Sequence, residues 1–401
     1  MSTAIADESY ANRDAVRAFA ILGALAFAGT AIAYLATISW VAPIPRDSTG
    51  LVVGRDFLNF WMYGRAAALP DPQRFYDPVI YTRELVALLW PDYPGQNFSY
   101  PPTMMLLAAP FGRLPYMAAL LIWTALGLAV FIGVARRHLA DRRLLLALAF
   151  SPAALFCLMS GQSALFTAAM LVTIFAWLDR RPIAAGVLIG LLTIKPQLGF
   201  LFPGMLIAGG RWRVLATAAV TALALASLTA ALFGPQVWVD FVKVGMPAQN
   251  FVLVDPKLTL GPFCPTVYMN LRGIGASFAV AMAGQLCVSA LAASAVVWAF
   301  GFRRDADPLL LMTLFLACSV SFTPYLLTYD TLALGFAALL LLDAGKLDAS
   351  GRRLAQLVYW LPVIQLGLGL VPIPGPALIA PAFAVYLVAR IRSVRTARAI
   401  A

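Results

Sequence analysis

Long apolar runs alternate with short polar segments along most of the chain. Several runs approach the roughly 20 residues that a helix needs to cross a bilayer. The pattern therefore predicts an all-α integral membrane protein, with about 12 transmembrane or partially spanning helices. The predicted spans cover residues 15–40, 116–135, 144–160, 163–178, 182–195, 197–209, 214–233, 275–301, 308–323, 329–343, 354–371 and 376–391.

Three apolar segments are too short for a straight crossing. Two of them, 182–195 and 197–209, are joined by Lys195-Pro196-Gln197, and we predict broken or half-buried helices that line a cavity. The third, 103–112, follows Pro101-Pro102 and contains Pro110, so it is predicted to be a re-entrant or interfacial helix.

Charge then fixes the direction of the spans. The chain is 62% hydrophobic and 12% charged, which excludes an ordinary soluble fold, and its net charge of +11 comes from arginines clustered between apolar runs. Such clusters are typical of cytoplasmic loops and require no nucleic-acid partner. Both termini are then predicted to be cytoplasmic. The clusters are Arg136-Arg137, Arg142-Arg143, Arg180-Arg181, Arg211 with Arg213, Arg303-Arg304, Arg352-Arg353 and the residues from Arg390 onward.

Two long segments remain on the opposite, periplasmic side. We name residues 41–115 the first long loop and residues 234–274 the second long loop; a shorter segment, 323–330, lies on the same side. No soluble domain or internal repeat is evident, so residues 1–401 are expected to form one integral membrane domain. Function is expected on this periplasmic side.

The residues available on that side exclude several kinds of catalysis. The single histidine, His138, is predicted to be cytoplasmic, so no Ser-His-Asp triad or histidine metal site can form there. No phosphate-binding glycine loop occurs, and the four cysteines show no metal or disulfide spacing. Carboxylates, arginines, Lys195, aromatics and amides remain. These groups suit base catalysis on a hydroxyl beside a phosphate leaving group.

The densest group of ionisable residues in the first long loop is 54-GRDFLNFWMYGRAAALPDPQRFYDP-78. If residues 56–69 are helical, then Asp56, Asn59, Phe60 and Tyr63 share one face, because residues three and four apart are neighbours on a helix. A polar wall with aromatic sides suits a sugar. The alternative is that Asp56 only caps the helix.

Six segments of the chain, taken in order, resemble glycosyltransferase family 87, a bacterial membrane mannosyltransferase-like family of the GT-C superfamily. Together they span roughly residues 52–342. The segments are 55-RDFLNFWMYGRAA-67, 75-FYDP-78, 98-FSYPPTMMLLAAPFGRLPY-116, 160-SGQSALFTAAML-171, 181-RPIAAGVLIGLLTIKPQLGF-200 and 323-TPYLLTYD-330.

This resemblance implies a GT-C-like helical bundle in the bacterial inner membrane and makes Asp56 the expected general base. It implies a polyprenyl-phosphate sugar as donor, used outside the cytoplasm with inversion at the anomeric carbon, and an acceptor that is a lipid or a glycan. The transferred hexose is expected to be mannose. We expect no cofactor and no metal, since the scattered carboxylates form no recognisable ligand set.

Other polar residues are candidates for substrate binding. Lys195 is expected to bind the donor phosphate, because an ammonium at this depth is costly unless it meets an anion. Gln162 and Gln197 could bond to the sugar or phosphate. The alternatives are that Lys195 extends to the interface and that the two amides tie helices together.

Four further candidates lie in the outer segments. Arg55 and Arg65 could hold phosphate or orient carboxylates, and Tyr100 could stack on a sugar. Asp330 could bind substrate or cap the span that follows it.

For three of these residues and for Asp77, a structural role is the alternative. Each arginine could instead form a surface ion pair with Asp71 or Asp77. Tyr100 could belong to the rigid start of the re-entrant helix, and Asp77 is predicted to form a turn before Pro78.

Two rival functions stay open from the residues. A transporter or lipid-sugar flippase would use the short helices 182–209 as the discontinuous elements of a midplane site, but the chain lacks clear repeats and a charged residue in mid-span. A non-catalytic scaffold would leave the polar motifs around Asp56, Lys195 and Asp330 unexplained.

Overall fold

A computed structural model describes residue 18 and residues 21–40, 44–139, 141–254 and 260–400, with the backbone alone for 394–400. Over these residues the chain is all helical, as predicted, and extended pairing is limited to isolated bridges from Arg46 to Ser39 and Val52. The start of the predicted 15–40 span and residues 255–259 of the second long loop lie outside the described residues.

The first half of the chain contains ten helices among the described residues. They are α1 (Ile21–Ala36), α2 (Phe57–Ala66), α3 (Pro78–Leu88), α4 (Met104–Gly112), α5 (Tyr116–Ala135), α6 (Arg142–Ala149), α7 (Pro152–Ser160), α8 (Ala164–Trp177), α9 (Pro182–Leu191) and α10 (Phe202–Ala208).

The second half contains nine more. They are α11 (Trp212–Phe233), α12 (Gln236–Asp240), α13 (Met246–Val254), α14 (Val267–Gly273), α15 (Phe278–Phe302), α16 (Pro308–Phe322), α17 (Leu332–Asp343), α18 (Ala349–Leu370) and α19 (Ile379–Ile400). A π-helical turn (Phe241–Gly245) joins α12 to α13. Short 3-10 turns lie at Pro72–Tyr76, Leu192–Ile194, Pro196–Leu198, Gly261–Phe263, Thr328–Thr331 and Gly375–Leu378.

Four helical segments among the described residues are long and apolar enough to cross a membrane: α5, α11, α15 and Gly375–Ser393. The predicted span 144–160 is instead two helices, α6 and α7, bent by 46°, and would count as a fifth crossing if it is one broken span. The bend arises at Ser151-Pro152, because Ser151 caps α7 and Pro152 occupies its first turn. The number of spans predicted from sequence is therefore not confirmed by helix length.

The predicted break at Lys195-Pro196-Gln197 is present. Helix α9 tightens into a 3-10 turn, Lys195 leaves the helical conformation (φ −141°, ψ 70°), and a second 3-10 turn begins at Pro196. Proline disfavours helical backbone in the residue before it and has no N–H of its own to donate. This break makes Lys195 the buried link between two short 3-10 turns.

Apolar side chains pack into one large and two smaller buried clusters. The large one is centred on α16 and α17, where Phe315 and Phe336 are fully buried. The second is built by the first long loop, in which α2 packs against α4; a Cβ on Gly64 would lie 2.6 Å from the Gly112 nitrogen. The third, around Tyr268, joins the second long loop to Tyr325 and Leu327. The first long loop is therefore a packed layer.

Candidate active site

Asp56 immediately precedes α2, but its carboxylate does not cap that helix. The residue before it, Arg55, has a φ of 32°, and its guanidinium is held by Asp47 at 2.7 Å. A non-glycine residue with positive φ is uncommon and marks a constrained turn. The Asp56 carboxylate makes no hydrogen bond to the first turn of α2, so the capping alternative is wrong.

The Asp56 carboxylate instead accepts two hydrogen bonds on one oxygen. Gln162 Nε2 donates to Oδ2 at 3.0 Å, and the Tyr329 hydroxyl donates to the same oxygen at 3.1 Å. Oδ1 accepts no hydrogen bond from any described residue. Asp56 as a whole residue is half-buried. One oxygen is fixed and the other is left free to accept a proton.

A close backbone contact brings Gln162 to this position. Helix α7 ends at Gly161 in the left-handed conformation (φ 61°), and the Gln162 N–H returns to the Cys157 carbonyl at 3.0 Å. A Cβ on Gly161 would lie 2.5 Å from the Phe57 Cβ. Glycine is therefore required there, both for the left-handed turn and for the approach of α7 to the start of α2.

The orientation of the Gln162 amide follows from its other partners. Oε1 accepts the Ser163 N–H at 3.1 Å and faces the Lys195 ammonium at 3.5 Å. Both of these groups can only donate, so the amide NH₂ must point the other way. It donates to Asp56 and, at 3.0 Å, to the Tyr100 hydroxyl.

Lys195 and Asp330 form a buried ion pair beside this amide. Nζ lies 2.5 Å from Oδ1, and the two side chains are 3% and 1% exposed. Nζ also lies 4.9 Å from the centre of the Tyr329 ring. Asp330 thus supplies, within the chain, the anion that Lys195 was expected to need. The residue before α17 is Thr331, so Asp330 is not the cap of that helix.

Opposing influences act on the protonation of Asp56. Burial raises the pKa of Asp56 above its ordinary value, and this effect exceeds the lowering by the hydrogen bonds from Gln162 and Tyr329 and by the charges of Lys195 and Arg55. A carboxylate with a raised pKa is a stronger base than a surface aspartate, as a general base requires.

Tyr100 reaches the site because its backbone is anchored in the first long loop. Its carbonyl accepts the hydroxyls of Tyr63 at 2.5 Å and Tyr76 at 3.0 Å. Phe98 stacks on Tyr63 with ring centroids 3.6 Å apart. This aromatic layer fixes the residues before α4 and carries the Tyr100 hydroxyl to Gln162.

Four predicted binding residues lie outside the hydrogen-bonded group around Asp56; Arg55 bonds to Asp47 and Thr49 instead, and the other three are Asn59, Arg65 and Gln197. Asn59 bonds to the Asn97 carbonyl at 3.1 Å and to the Tyr81 hydroxyl at 2.6 Å. Arg65 is exposed and lies over the Trp61 ring at 4.8 Å. Gln197 is half-buried and makes no side-chain hydrogen bond to another described residue.

The predicted ion pairs of the first long loop need correction. Arg55 pairs with Asp47, not with Asp71 or Asp77, because residues 47–52 fold back over the turn before Asp56. Asp71 pairs instead with Arg74 at 3.6 Å. Asp77 accepts the N–H groups of the first turn of α3, so it acts as an N-cap before Pro78.

Two contributors to the site were not predicted from the sequence. Tyr329 donates to Asp56, and Asp47 holds Arg55. Tyr329 could have been found, because it adjoins Asp330 in the segment 323–330. Asp47 carries no local signal. Within the described residues, no group of three His, Cys, Asp or Glu side chains is arranged to hold a metal.

Comparison with known proteins identifies the family of this chain. The model of glycosyltransferase family 87 matches residues 98–328, more than half of the chain. The chain belongs to glycosyltransferase family 87. It is therefore a membrane glycosyltransferase, and its long apolar helices agree with that class.

The matched region of this glycosyltransferase contains Tyr100, Gln162 and Lys195 and ends at Thr328. The segments 55–67 and 75–78 lie before it, so the match is narrower than the resemblance noted in the sequence. No curated protein and no solved structure matches the chain. The assignment of Asp56 therefore rests on its geometry.

Proposed function

We propose that this glycosyltransferase moves a hexose, with mannose as the expected sugar, from a polyprenyl-phosphate donor to a lipid or glycan acceptor outside the cytoplasm. It would be an inverting α-mannosyltransferase with Asp56 as its general base. The observation that carries the proposal is the Asp56 carboxylate, which is fixed through Oδ2 and free at Oδ1.

The reaction is a single displacement at the anomeric carbon. The acceptor oxygen forms the new bond to that carbon, its proton passes to Asp56 Oδ1, and the bond from the sugar to the phosphate oxygen breaks. Polyprenyl phosphate leaves with the bonding electron pair. Phosphate is a good leaving group, so one base suffices and no general acid is required. The proposal uses no cofactor and no metal.

We assign the other candidate residues near Asp56 supporting roles in this displacement. Lys195 supplies the positive charge that stabilises the departing phosphate; an ammonium has three N–H donors, and Asp330 and Gln162 Oε1 accept from two of them. Gln162 orients Asp56, and Tyr100 presents its ring and hydroxyl to the sugar.

Further from Asp56, we propose that Arg55 and Arg65 attract the anionic donor toward the first long loop. Asn59 and Gln197 would bind sugar hydroxyls once substrate has entered. Asp330 would contribute through its hold on Lys195.

The proposed setting is the bacterial inner membrane. Residues 1–401 would form one multi-pass domain of about 12 spanning or partially spanning helices, with both termini in the cytoplasm. Helix α4 would be re-entrant or interfacial. Helices α9 and α10, which precede and follow Lys195 in the chain, would be broken or half-buried helices that line a cavity. The Asp56 site would open to the periplasm, where a lipid-linked donor can present its phosphate.

The test is transfer of radiolabelled sugar by the purified protein. Polyprenyl-phosphate mannose and polyprenyl-phosphate glucose would each be offered with a panel of lipid and glycan acceptors, with nucleotide sugars as the alternative donor class and with a chelator in parallel. Transfer from the polyprenyl-phosphate donor, unchanged by chelation, supports the proposal. Transfer from nucleotide sugars alone would contradict it. Movement of intact donor across vesicles without transfer would favour the flippase.

A further inference from the structure

A cavity whose lining contains no residue of the Asp56 site lies between the second long loop and the end of α18. Its volume is about 280 Å³, and its lining includes Asn270, Arg272 and Gly273 on one side and Gln365, Gly369 and Ile373 on the other. This volume is at the lower end for small-molecule sites, so it suits a headgroup rather than a whole lipid.

The lining combines buried polar groups that the protein leaves partly unsatisfied. Asn270 is 6% exposed, and its NH₂ bonds to the Cys264 carbonyl at 3.0 Å, while its side-chain oxygen accepts no hydrogen bond from a described residue. Arg272 also lines the cavity; it bonds through Nη1 to the Ala276 carbonyl at 2.9 Å and interacts with the Tyr268 hydroxyl, but its positive charge forms no ion pair with a carboxylate in the described part of the chain. A guanidinium without a carboxylate partner and an amide oxygen in the lining of one cavity suit a phosphate that carries hydroxyl groups.

The cavity lies at the ends of two candidate membrane spans. Helix α14, which carries Arg272, is followed within a few residues by α15, and Ile373 directly precedes the span Gly375–Ser393. Span ends lie at the membrane boundary, where lipid headgroups are found.

The surroundings of the cavity are apolar and exposed. Leu370 and Val371, between two lining residues, are 68% and 63% exposed, and Ile274, next to Gly273, is 49% exposed. Such a rim suits a bound lipid, because its acyl chains can lie against the exposed apolar side chains while its headgroup enters the polar cavity.

We infer that this cavity binds the phosphate-bearing headgroup of a membrane lipid, with Arg272 as the anion ligand and Asn270 as an acceptor for headgroup hydroxyls. The lipid is either a phospholipid or a polyprenyl phosphate, which share this chemistry. The inference does not depend on the proposed function, because lipid binding is measured without sugar transfer.

The experiment measures binding of three short-chain probes to the purified full-length protein by native mass spectrometry. The probes are dioctanoyl phosphatidylglycerol, a short polyprenyl phosphate and dioctanoylglycerol, which lacks phosphate. Arg272→Gln removes the guanidinium, and the matched control Arg113→Gln removes an exposed arginine of the first long loop. Arg272→Gln should weaken binding of at least one phosphorylated probe by about tenfold or more, while Arg113→Gln leaves it unchanged.

A second variant tests the cavity without changing charge. Gly273 lines the cavity and a Cβ added there would meet nothing within 4 Å, so Gly273→Leu is expected to add bulk at the cavity without a clash at Cβ. Gly133→Leu, at an open position of α5, is its control. Gly273→Leu should reduce binding of the same phosphorylated probe.

The pattern of probe binding decides the outcome. If binding of phosphatidylglycerol depends on Arg272 and Gly273, the cavity is a phospholipid site. If binding of polyprenyl phosphate depends on them, the cavity holds that lipid at a position separate from Asp56. Equal binding of dioctanoylglycerol, equal loss in Arg113→Gln, or wild-type binding by both cavity variants would overturn the inference.

Discussion

Gln162 donates a hydrogen bond from Nε2 to Asp56 Oδ2 at 3.0 Å, although 106 residues separate them in the chain. The amide cannot turn over without facing its NH₂ toward the Ser163 N–H and the Lys195 ammonium. The Ser163 N–H and the Lys195 ammonium therefore fix the orientation of the Gln162 amide, and this orientation lets its NH₂ donate to Asp56. This relationship links the ion pair of Lys195 and Asp330 to the proposed base.

Replacing Gln162 by glutamate should shift the pH dependence of transfer. Gln162→Glu removes the N–H donor to Asp56 and adds a like charge, both of which raise the pKa of Asp56. The acidic limb of kcat/KM should move up by about one pH unit. The measurement is a pH profile of sugar transfer for the variant and the wild type. Coincident acidic limbs would show that Gln162 does not govern the protonation of Asp56.

The wild-type enzyme should lose activity on acidification at a higher pH than an ordinary aspartate would require. Burial raises the pKa of Asp56, and the base must be deprotonated, so activity falls as the pH decreases through that raised pKa. The facing groups that limit the rise are Gln162, Tyr329, Lys195 and Arg55. The acidic limb of kcat/KM reports the value. A limb at the pKa of a free aspartate would contradict the buried setting.

Breaking the ion pair on one side should destabilise the protein. Lys195→Met leaves the Asp330 carboxylate buried without its cation, which costs about 3–5 kcal/mol in comparable sites. Removing both charges with Lys195→Met/Asp330→Leu should recover most of the loss. Thermal unfolding of the detergent-purified variants measures this. A double variant that unfolds as early as Lys195→Met would argue against an ion pair.

Gly161→Ala should reduce the transfer rate much more than an alanine substitution at an unconstrained glycine does. The new Cβ would collide with Phe57 and would need a left-handed backbone, so α7 must withdraw and carry Gln162 away from Asp56. The matched control is Gly133→Ala, which adds a methyl group at an exposed helical position with open space. Melting temperature and transfer rate are compared for both. Wild-type transfer by Gly161→Ala would contradict the close approach.

The positions of the helices could be predicted from the sequence because apolar length and proline act locally. The predicted span 116–135 coincides with α5, and the break at Lys195 follows from Pro196. The bend between α6 and α7 was missed, although Ser151-Pro152 is a helix-start signal that could have indicated it.

The partners within the site could not be predicted from the sequence. Lys195 and Asp330 are 135 residues apart, and Tyr329 is 273 residues from Asp56. Such pairs depend on how helices pack, and an isolated sequence carries no local pattern for them. The pairing of Arg55 was wrong for the same reason: several acidic residues lie nearby in sequence, and the fold of residues 47–52 selects Asp47.

The most direct test of the central claim is the transfer rate of Asp56→Asn at saturating polyprenyl-phosphate mannose, measured together with donor binding and melting temperature. Asparagine keeps an oxygen that can accept from Gln162 and Tyr329, but it cannot take a proton from the acceptor. Burial raises the pKa of Asp56, so removing this carboxylate should not lower the melting temperature at neutral pH. We predict a loss of about 10²- to 10⁴-fold in transfer with donor binding retained. Transfer at the wild-type rate by the folded, donor-bound variant would remove Asp56 from catalysis.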